Sequence, residues 1–212
     1  MKTKIILSCL AIFFLWSCST TMKYTWTKEN FEGKSFDKIL VLTISKNLKS
    51  RTLFENTVVD LLKEEGLEAS NALNVFTPVE KLDDLSEEEI EKRIKDGAYD
   101  AVLVTSLIEV NTRDVRVNNY NYYPYMYGGR YGYGYRSFIY YNYDFMYRDQ
   151  YREEKTYVYE TRLYDVNEPD VKQAVVWSGQ SELIDPSGSE SASKTYSKSL
   201  VRTLMESGTV QK

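Results

Sequence analysis

The alternation of apolar runs and amphipathic segments predicts an α/β unit between residues 37 and 108. Residues 38–44 and 100–108 are nearly continuous apolar runs of strand length, which is typical of strands that a sheet buries on both faces. Residues 67–75 can form a shorter strand, closed by Pro78. Because these strands are separated by helical segments, we expect parallel pairing through right-handed crossovers, with residues 39–43 beside residues 102–106.

Each predicted helix begins with a capping-box spacing, in which a hydroxyl residue precedes a glutamate by three positions. The pairs are Thr52 with Glu55, Ser86 with Glu89, and Ser187 with Glu190. Apolar residues then recur at helical intervals, and a glycine follows each helix: Gly66, Gly97 and Gly208. The pattern therefore predicts two helices between the first three strands and one helix at the C-terminus.

Two further strands are predicted after residue 152. Residues 156–164 and 174–184 are joined through the turn-rich residues 167–170, so we expect residues 158–163 and 175–183 to pair antiparallel. The predicted architecture is an α/β fold with a mixed sheet. Its order is β-α-β-α-β, a Tyr/Gly-rich insertion, an antiparallel hairpin and a C-terminal helix.

The N-terminus has the layout of a secretory signal peptide. Lys2 and Lys4 precede an apolar run at residues 5–16, which is shorter than the roughly 20 residues that span a bilayer. The next residues, Leu15-Trp16-Ser17-Cys18, resemble the lipobox of bacterial lipoproteins. That resemblance implies cleavage before Cys18, a diacylglycerol thioether on its sulfur and acylation of the new amine, so that several acyl chains anchor the protein to a membrane.

By the same resemblance, Ser19 in place of aspartate favours the outer membrane, and the absence of acidic residues at 19–21 favours its periplasmic face. We therefore divide the chain into a lipoprotein signal peptide at 1–17, a lipidated N-terminus and tether at 18–36, and a single α/β domain at 37–208. The tether includes a candidate short strand. The domain carries an insertion at 118–152.

Composition excludes several classes of function. The chain has 27 basic and 31 acidic residues. Removal of Lys2 and Lys4 with the signal leaves 25 basic residues and a net charge of −6, which disfavours a nucleic-acid partner. The absence of histidine excludes Ser-His-Asp and Cys-His nucleophiles and imidazole zinc sites. With no nucleotide-binding motif either, we expect no metal and no cofactor.

The segment from 120 to 151 holds 13 of the 19 tyrosines. Tyrosine offers a large, stiff, amphipathic contact face at low entropic cost. We therefore regard the following residues as a candidate contact surface: Tyr122, Tyr123, Tyr125, Tyr127, Arg130, Tyr131, Tyr133 and Tyr135. The alternative is a long hairpin or loop whose tyrosines merely extend the neighbouring strands.

The order of elements, with residues 97–104 leading into the third strand, resembles uncharacterised periplasmic lipoproteins of Gram-negative bacteria. More distantly it is similar to the TolB N-terminal domain and the curli-secretion lipoprotein. We expect a non-enzymatic module for interaction or envelope assembly, anchored by Cys18, with an envelope protein or glycan as partner. The alternatives are a lipoprotein that binds glycan or peptidoglycan through the tyrosine-rich insertion and, third, a carboxylate-dependent hydrolase.

Overall fold

The computed structural model describes residues 22–45, 47–78, 80, 84–116, 151–184 and 188–212. In these residues the strands are β1 Tyr24–Thr27, β2 Lys34–Ser35, β3 Ile39–Ile44, β4 Ala69–Asn71, β5 Ala101–Arg116, β6 Tyr151–Asp165, β7 Val175–Ile184 and β8 Val210–Gln211. The helices are α1 Leu48–Glu64, α2 Glu87–Asp96 and α3 Ser189–Glu206. Among the residues described, no helix combines the length and apolarity needed to cross a bilayer.

The predicted α/β fold with a mixed sheet is confirmed. The described strands include a six-stranded sheet in the order β1-β7-β6-β5-β3-β4. As predicted, β3 and β5 are parallel, with Ile39 opposite Ala101, and β6 and β7 are antiparallel. The strand predicted at residues 67–75 is shorter, because only Ala69–Asn71 pairs with β3 before a 3-10 turn begins at Ala72.

Helices cover both faces of the sheet, which explains the continuous apolar runs of β3 and β5. Ile39 and Val41 face a core shared with α1 and α3, whereas Leu40 and Leu42 face a second core beneath α2. Trp177 of β7 lies in the first core and is fully buried, as its position in a predicted strand indicates. Both faces of β3 are therefore buried, although β3 lies next to the edge strand β4.

The helix starts agree with the capping-box prediction at one of three places. Ser86 accepts a hydrogen bond from the Glu89 backbone N–H at 3.2 Å, as predicted. The prediction that Thr52 caps the first helix is wrong. α1 begins a turn earlier, at Leu48, and the Asn47 side chain accepts a hydrogen bond from the Ser50 backbone N–H instead. In α3 the N-cap position is held by Gly188 without a side-chain cap, and Ser187 lies outside the described residues.

The N-terminal segment joins the sheet. Residues 24–27, which lie in the predicted tether, pair antiparallel with β7, with Tyr24 opposite Gln180 and Thr27 opposite Trp177. Met22, Phe36 and Val210 are buried in the first core. The segment between the predicted lipidation residue Cys18 and the first buried residue, Met22, is therefore short. The predicted domain limits stay a prediction.

One end of the sheet narrows into an arm formed by β5 and β6, which β7 accompanies as far as Thr156 and which is two-stranded from Thr112 to Arg116. Pairing of β5 with β3 ends at Ser106, but β5 continues to Arg116 and stays paired with β6, which begins at Tyr151. At about 3.4 Å per residue, residues 107–116 extend roughly 30 Å beyond β3. The register shifts around Ile108, where the arm leaves the body, as expected of a β-bulge that bends a strand.

Candidate functional site

A cavity of about 910 Å³ lies at the edge of the sheet where β3 and β7 end and the arm begins. Since β7 runs in the same direction as β3 and β5, the helices that follow β3 and β7 both start at this edge. The N-termini of α1 and α3 therefore lie beside the cavity, and the two helices pack against each other. Sheets with parallel strands commonly bind ligands at this edge.

The cavity wall is rich in hydroxyl groups and aromatic rings. Its hydroxyl residues are Thr43, Ser45, Ser50, Thr105, Ser106 and Ser193. Phe54, Tyr159 and Tyr196 supply three aromatic side chains, and Tyr196 packs between the other two, with ring centroids 5.6 Å and 5.2 Å apart. Ile44, Leu48 and Leu107 line the mouth and are largely exposed. The cavity wall thus mixes hydroxyl groups with aromatic and aliphatic side chains.

A buried ion pair fixes the inner wall. Arg51 and Glu55 lie one turn apart on α1, and Arg51 Nε donates to Glu55 Oε1 at 2.9 Å. Glu55 is completely buried and also accepts hydrogen bonds from the backbone N–H groups of Thr43 and Ala72, at 2.8 and 3.2 Å. Burial raises the pKa of the Glu55 carboxyl, and its bonds to Arg51 and the two amides oppose that rise.

Three polar atoms in the same wall find no hydrogen-bond partner among the described residues. They are Oγ1 of Thr43, Nη2 of Arg51 and Oγ of Ser193. All three side chains are about nine-tenths buried or more. Buried polar groups are nearly always paired, and leaving one unpaired costs roughly 1–3 kcal/mol. Five further buried polar atoms in the described residues, which do not line the cavity, are unpaired as well, so the three in this wall do not by themselves mark a ligand site.

A chain of hydroxyl groups links the helix above the cavity to the sheet below it. Tyr196 Oη and Thr161 Oγ1 share a hydrogen bond of 2.7 Å, and Thr161 Oγ1 shares another of 2.8 Å with Thr105 Oγ1. Burial raises the pKa of the Tyr196 hydroxyl strongly, against the opposing effect of the Thr161 bond. The chain orients Tyr196, and it holds no base that could activate the hydroxyl.

The acidic groups near the cavity do not form a general acid–base pair among the described residues. Glu55 is engaged as above, and Glu80 at the rim is bonded to Arg93 Nη1 at 2.8 Å. That bond lowers the pKa of the Glu80 carboxyl. In the described part of the chain, no cluster of three or more Cys, His, Asp or Glu residues could hold a metal ion.

The residues singled out from the sequence lie outside the described residues. These are the lipidation residue Cys18 and the candidate contact surface formed by Tyr122, Tyr123, Tyr125, Tyr127, Arg130, Tyr131, Tyr133 and Tyr135. The structure does place the points from which the insertion departs. Arg116 and Tyr151 are paired at the end of the arm, so the insertion joins the domain far from the core.

Sequence reasoning missed the cavity. One signal was available, because Arg51 and Glu55 fall at i, i+4 on the same helical face as Phe54, Val58 and Leu62, which all point into the core. Two charges on an apolar stripe indicate a buried ion pair. The other walls come from β3, β5 and α3, and no local pattern reveals that these elements meet.

Comparison with known proteins gives limited information. No protein-family model matches the chain, and no curated protein matches it. Solved structures with some similarity include the PelC dodecamer from Paraburkholderia phytofirmans, 14% identical with a TM-score of 0.43, covering 89% of this chain and 97% of that one. Another is lipoprotein GNA1162 from Neisseria meningitidis, 16% identical with a TM-score of 0.41, covering 80% and 98%. These TM-scores are too low for either likeness to carry an argument about fold or function.

Proposed function

We propose that this chain is a lipid-anchored protein of the outer membrane, facing the periplasm, whose α/β domain is a non-enzymatic binding module. In this proposal the lipid on Cys18 fixes the protein to the bilayer. The arm formed by β5 and β6 presents residues 117–150 to an envelope partner. The arm is the observation that carries the proposal, because it joins the tyrosine-rich insertion to the domain roughly 30 Å from the end of β3.

The arm has the character of a presenting element rather than a core element. The side chains at positions 107–114 are exposed, and Ile108 and Val110 are each 48% accessible. Arg113 and Glu154 form an ion pair of 2.6 Å across the two strands, which aligns the strands where neither a third strand nor a helix from the described residues supports them. A stiff ribbon that contributes little to the core is suited to hold a recognition segment away from the fold.

The binding role is favoured over hydrolysis by the state of the acidic groups. A carboxylate-dependent hydrolase needs two carboxyl groups that converge on substrate with different proton affinities. In the described residues, Glu55 is engaged by Arg51 and two backbone amides, and Glu80 is engaged by Arg93 and Thr77. Neither carboxylate is left to carry a proton for a reaction.

The test is in-cell crosslinking followed by identification of what copurifies. Three forms of the full chain are compared: the natural sequence, a variant with residues 119–137 replaced by a short Gly/Ser linker, and Trp26→Ser. Trp26 is exposed on the outermost strand β1, which pairs with β7 and not with β5 or β6, so its variant is the matched control.

We expect one envelope protein to crosslink to the natural chain and to Trp26→Ser, and to be lost from the linker variant. Retention of the same protein by the linker variant would overturn the assignment of the insertion as contact surface. Capture of peptidoglycan fragments in place of a protein would support the alternative, in which the insertion binds glycan.

A further inference from the structure

We propose that the free edge of β5 on the arm, residues 107–115, is a homodimer interface. In this dimer the edge pairs antiparallel with the same residues of a second copy of the chain, about a twofold axis at Asn111. The two arms would then form one continuous sheet in the order β6-β5-β5-β6. The interface lies on a strand and not in residues 117–150, so the inference does not depend on the function proposed above.

The free edge of β5 is long. β3 pairs with β5 only as far as Ser106, and none of the described strands continues on that side, whereas β6 pairs on the other side as far as Arg116. Residues along a strand alternate in the direction of their backbone N–H and C=O groups. Roughly half of residues 107–116 therefore present these groups to the free side, which is a template for pairing with another strand.

The other edges of the six-stranded sheet have the usual protection against strand pairing. The outermost strands β1 and β4 have only four and three residues. On the arm, the outer edge of β6 is free at residues 151–155, where four of the five side chains are charged, and such charges resist pairing. By contrast, residues 107–115 contain no lysine or proline, and they include Ile108 and Val110, each 48% exposed. Of the described edges, this one is both long and unprotected.

The charges along this edge favour a second copy of the same chain. The register with β6 is regular from Glu109 to Arg116, so Glu109, Asn111 and Arg113 share one face of the strand. In an antiparallel pairing centred on Asn111, Glu109 of each copy lies opposite Arg113 of the other, and Asn111 lies opposite itself. One interface thus contains two contacts between opposite charges and one pair of amides, which stabilise directly opposed strands.

Both charged side chains are available for these contacts. Glu109 is exposed and has no hydrogen bond or ion pair within the described part of the chain. Arg113 binds Glu154 Oε1 through Nε and Nη2, at 2.7 and 2.6 Å, and its side chain is still 68% exposed. Because a guanidinium group has five N–H donors, Arg113 can bind Glu154 of its own chain and Glu109 of the second copy together.

The length of the free edge fits the same axis. Ile44, the last residue of β3, lies opposite Ser106, so the free edge begins at Leu107. With Asn111 on the axis, Leu107 lies opposite Val115 of the second copy. The second β5 strand would therefore occupy the line that β3 leaves, over the whole free edge and without displacing β3.

The first test is crosslinking of the full chain in cell membranes with a short bismaleimide. Asn111→Cys places a thiol opposite its own copy, where the Cβ atoms of opposed residues are about 4.5–5.5 Å apart. Glu153→Cys is the control, because Glu153 lies on β6, away from the axis. The natural chain, with Cys9 and Cys18, gives the background. We expect dimers from Asn111→Cys alone. Their absence, or equal dimer formation by Glu153→Cys, would overturn the interface.

The second test uses charge reversal and analytical ultracentrifugation of the full chain in detergent. Glu109→Arg and Arg113→Glu each place like charges opposite one another, so each should dimerise about tenfold or more weakly than the natural chain. An equal mixture of these two variants should dimerise again, because only the mixed pair brings opposite charges together at both contacts. Glu153→Arg is the control and should dimerise as the natural chain does.

Three results would refute the proposal. They are a monomeric natural chain, as expected if residues 117–150 cover the edge instead, single variants that dimerise normally, and a mixture that stays monomeric. Circular dichroism of each variant checks that the domain is folded, so that loss of the dimer reports on the edge itself.

Discussion

At the scale of single residues, the structure differs from expectation at Glu55. The sequence places this glutamate in a capping box, on the solvent side of a helix start. In the structure Glu55 points inward and accepts hydrogen bonds from β3, from Ala72 and from Arg51. One buried carboxylate therefore joins α1 to the strand before it and to the turn after β4. Residues 43 and 72 are distant from each other in sequence, so no local pattern could predict this role.

Replacement of Glu55 should destabilise the fold strongly, because three hydrogen-bond donors lose their charged acceptor. We expect Glu55→Gln to lower the free energy of unfolding by about 3 kcal/mol, since removing one member of a buried ion pair leaves the other uncompensated. Urea denaturation measures this. Glu91→Gln is the control, because Glu91 pairs with Lys95 on the exposed surface of α2 and such pairs contribute little. Similar values for the two variants would show that Glu55 is dispensable.

The buried hydroxyl of Tyr196 leads us to expect that the protein loses stability at alkaline pH. Burial raises its pKa in the folded protein above the ordinary value of 10.0, so above pH 10 only the unfolded chain releases this proton. The contribution of Tyr196 to stability is therefore complete below pH 10 and is lost above it, at about 1.4 kcal/mol per pH unit. Chemical denaturation between pH 9 and 11.5 should give a shallower decline for Tyr196→Phe than for the natural chain.

The exposed Tyr24 provides the matched variant for that experiment. Tyr24 is 68% exposed at the sheet edge, and Tyr24→Phe should decline with pH as the natural chain does. If Tyr196→Phe followed the same curve as both, the hydroxyl chain from Tyr196 to Thr105 would have no part in the alkaline transition.

At the scale of elements, continuous apolar runs were informative and polar strands were not. β3 was predictable because both of its faces are buried, so every position carries the signal. The outer half of β5 was not, because Glu109, Asn111 and Arg113 are exposed and the strand persists through pairing with β6. β4 is shorter than predicted because the chain turns at Ala72, where Glu55 holds the backbone.

The start of α1 gives a direct test of the corrected helix boundary. Asn47→Ala should lower stability by about 1 kcal/mol, because the Asn47 side chain accepts from the Ser50 N–H at 3.0 Å. Thr52→Ala should change stability much less, since Thr52 lies inside the helix. Thermal unfolding compares the two variants. A larger loss of stability for Thr52→Ala would mean that the capping box predicted from the sequence does form.

At the scale of the whole molecule, the tyrosine-rich insertion departs from Arg116 and returns at Tyr151, which are paired at the end of the arm. We expect replacement of residues 119–137 by a short Gly/Ser linker to change the free energy of unfolding by only about 1 kcal/mol in either direction, because loop length has a weak effect on closure entropy. Circular dichroism melting checks this. Collapse of the domain in this variant would mean that the tyrosines belong to the core.

The lipid anchor has its own test. Mass spectrometry of the mature protein should find acyl chains on Cys18, and the protein should partition into detergent. Cys18→Ala should abolish both properties, because no thiol remains to carry the diacylglycerol. An unmodified Cys18, or cleavage at another position, would contradict the anchor.

The direction of β1 bears on how the domain would face the bilayer in the lipid-anchored form that we propose. β1 is antiparallel to β7, so Tyr24 lies closer than Thr27 to the edge from which the arm extends. Cys18 precedes Lys23 by five residues, which span at most about 18 Å. The arm is longer than the segment that joins Cys18 to Lys23. If Cys18 carries the predicted lipid and the arm points toward the bilayer, the domain lies tilted, with the cavity edge toward the membrane and the end of the arm at the headgroup layer. Its proposed partner would then lie close to the membrane surface, and the protein would not reach across the periplasm.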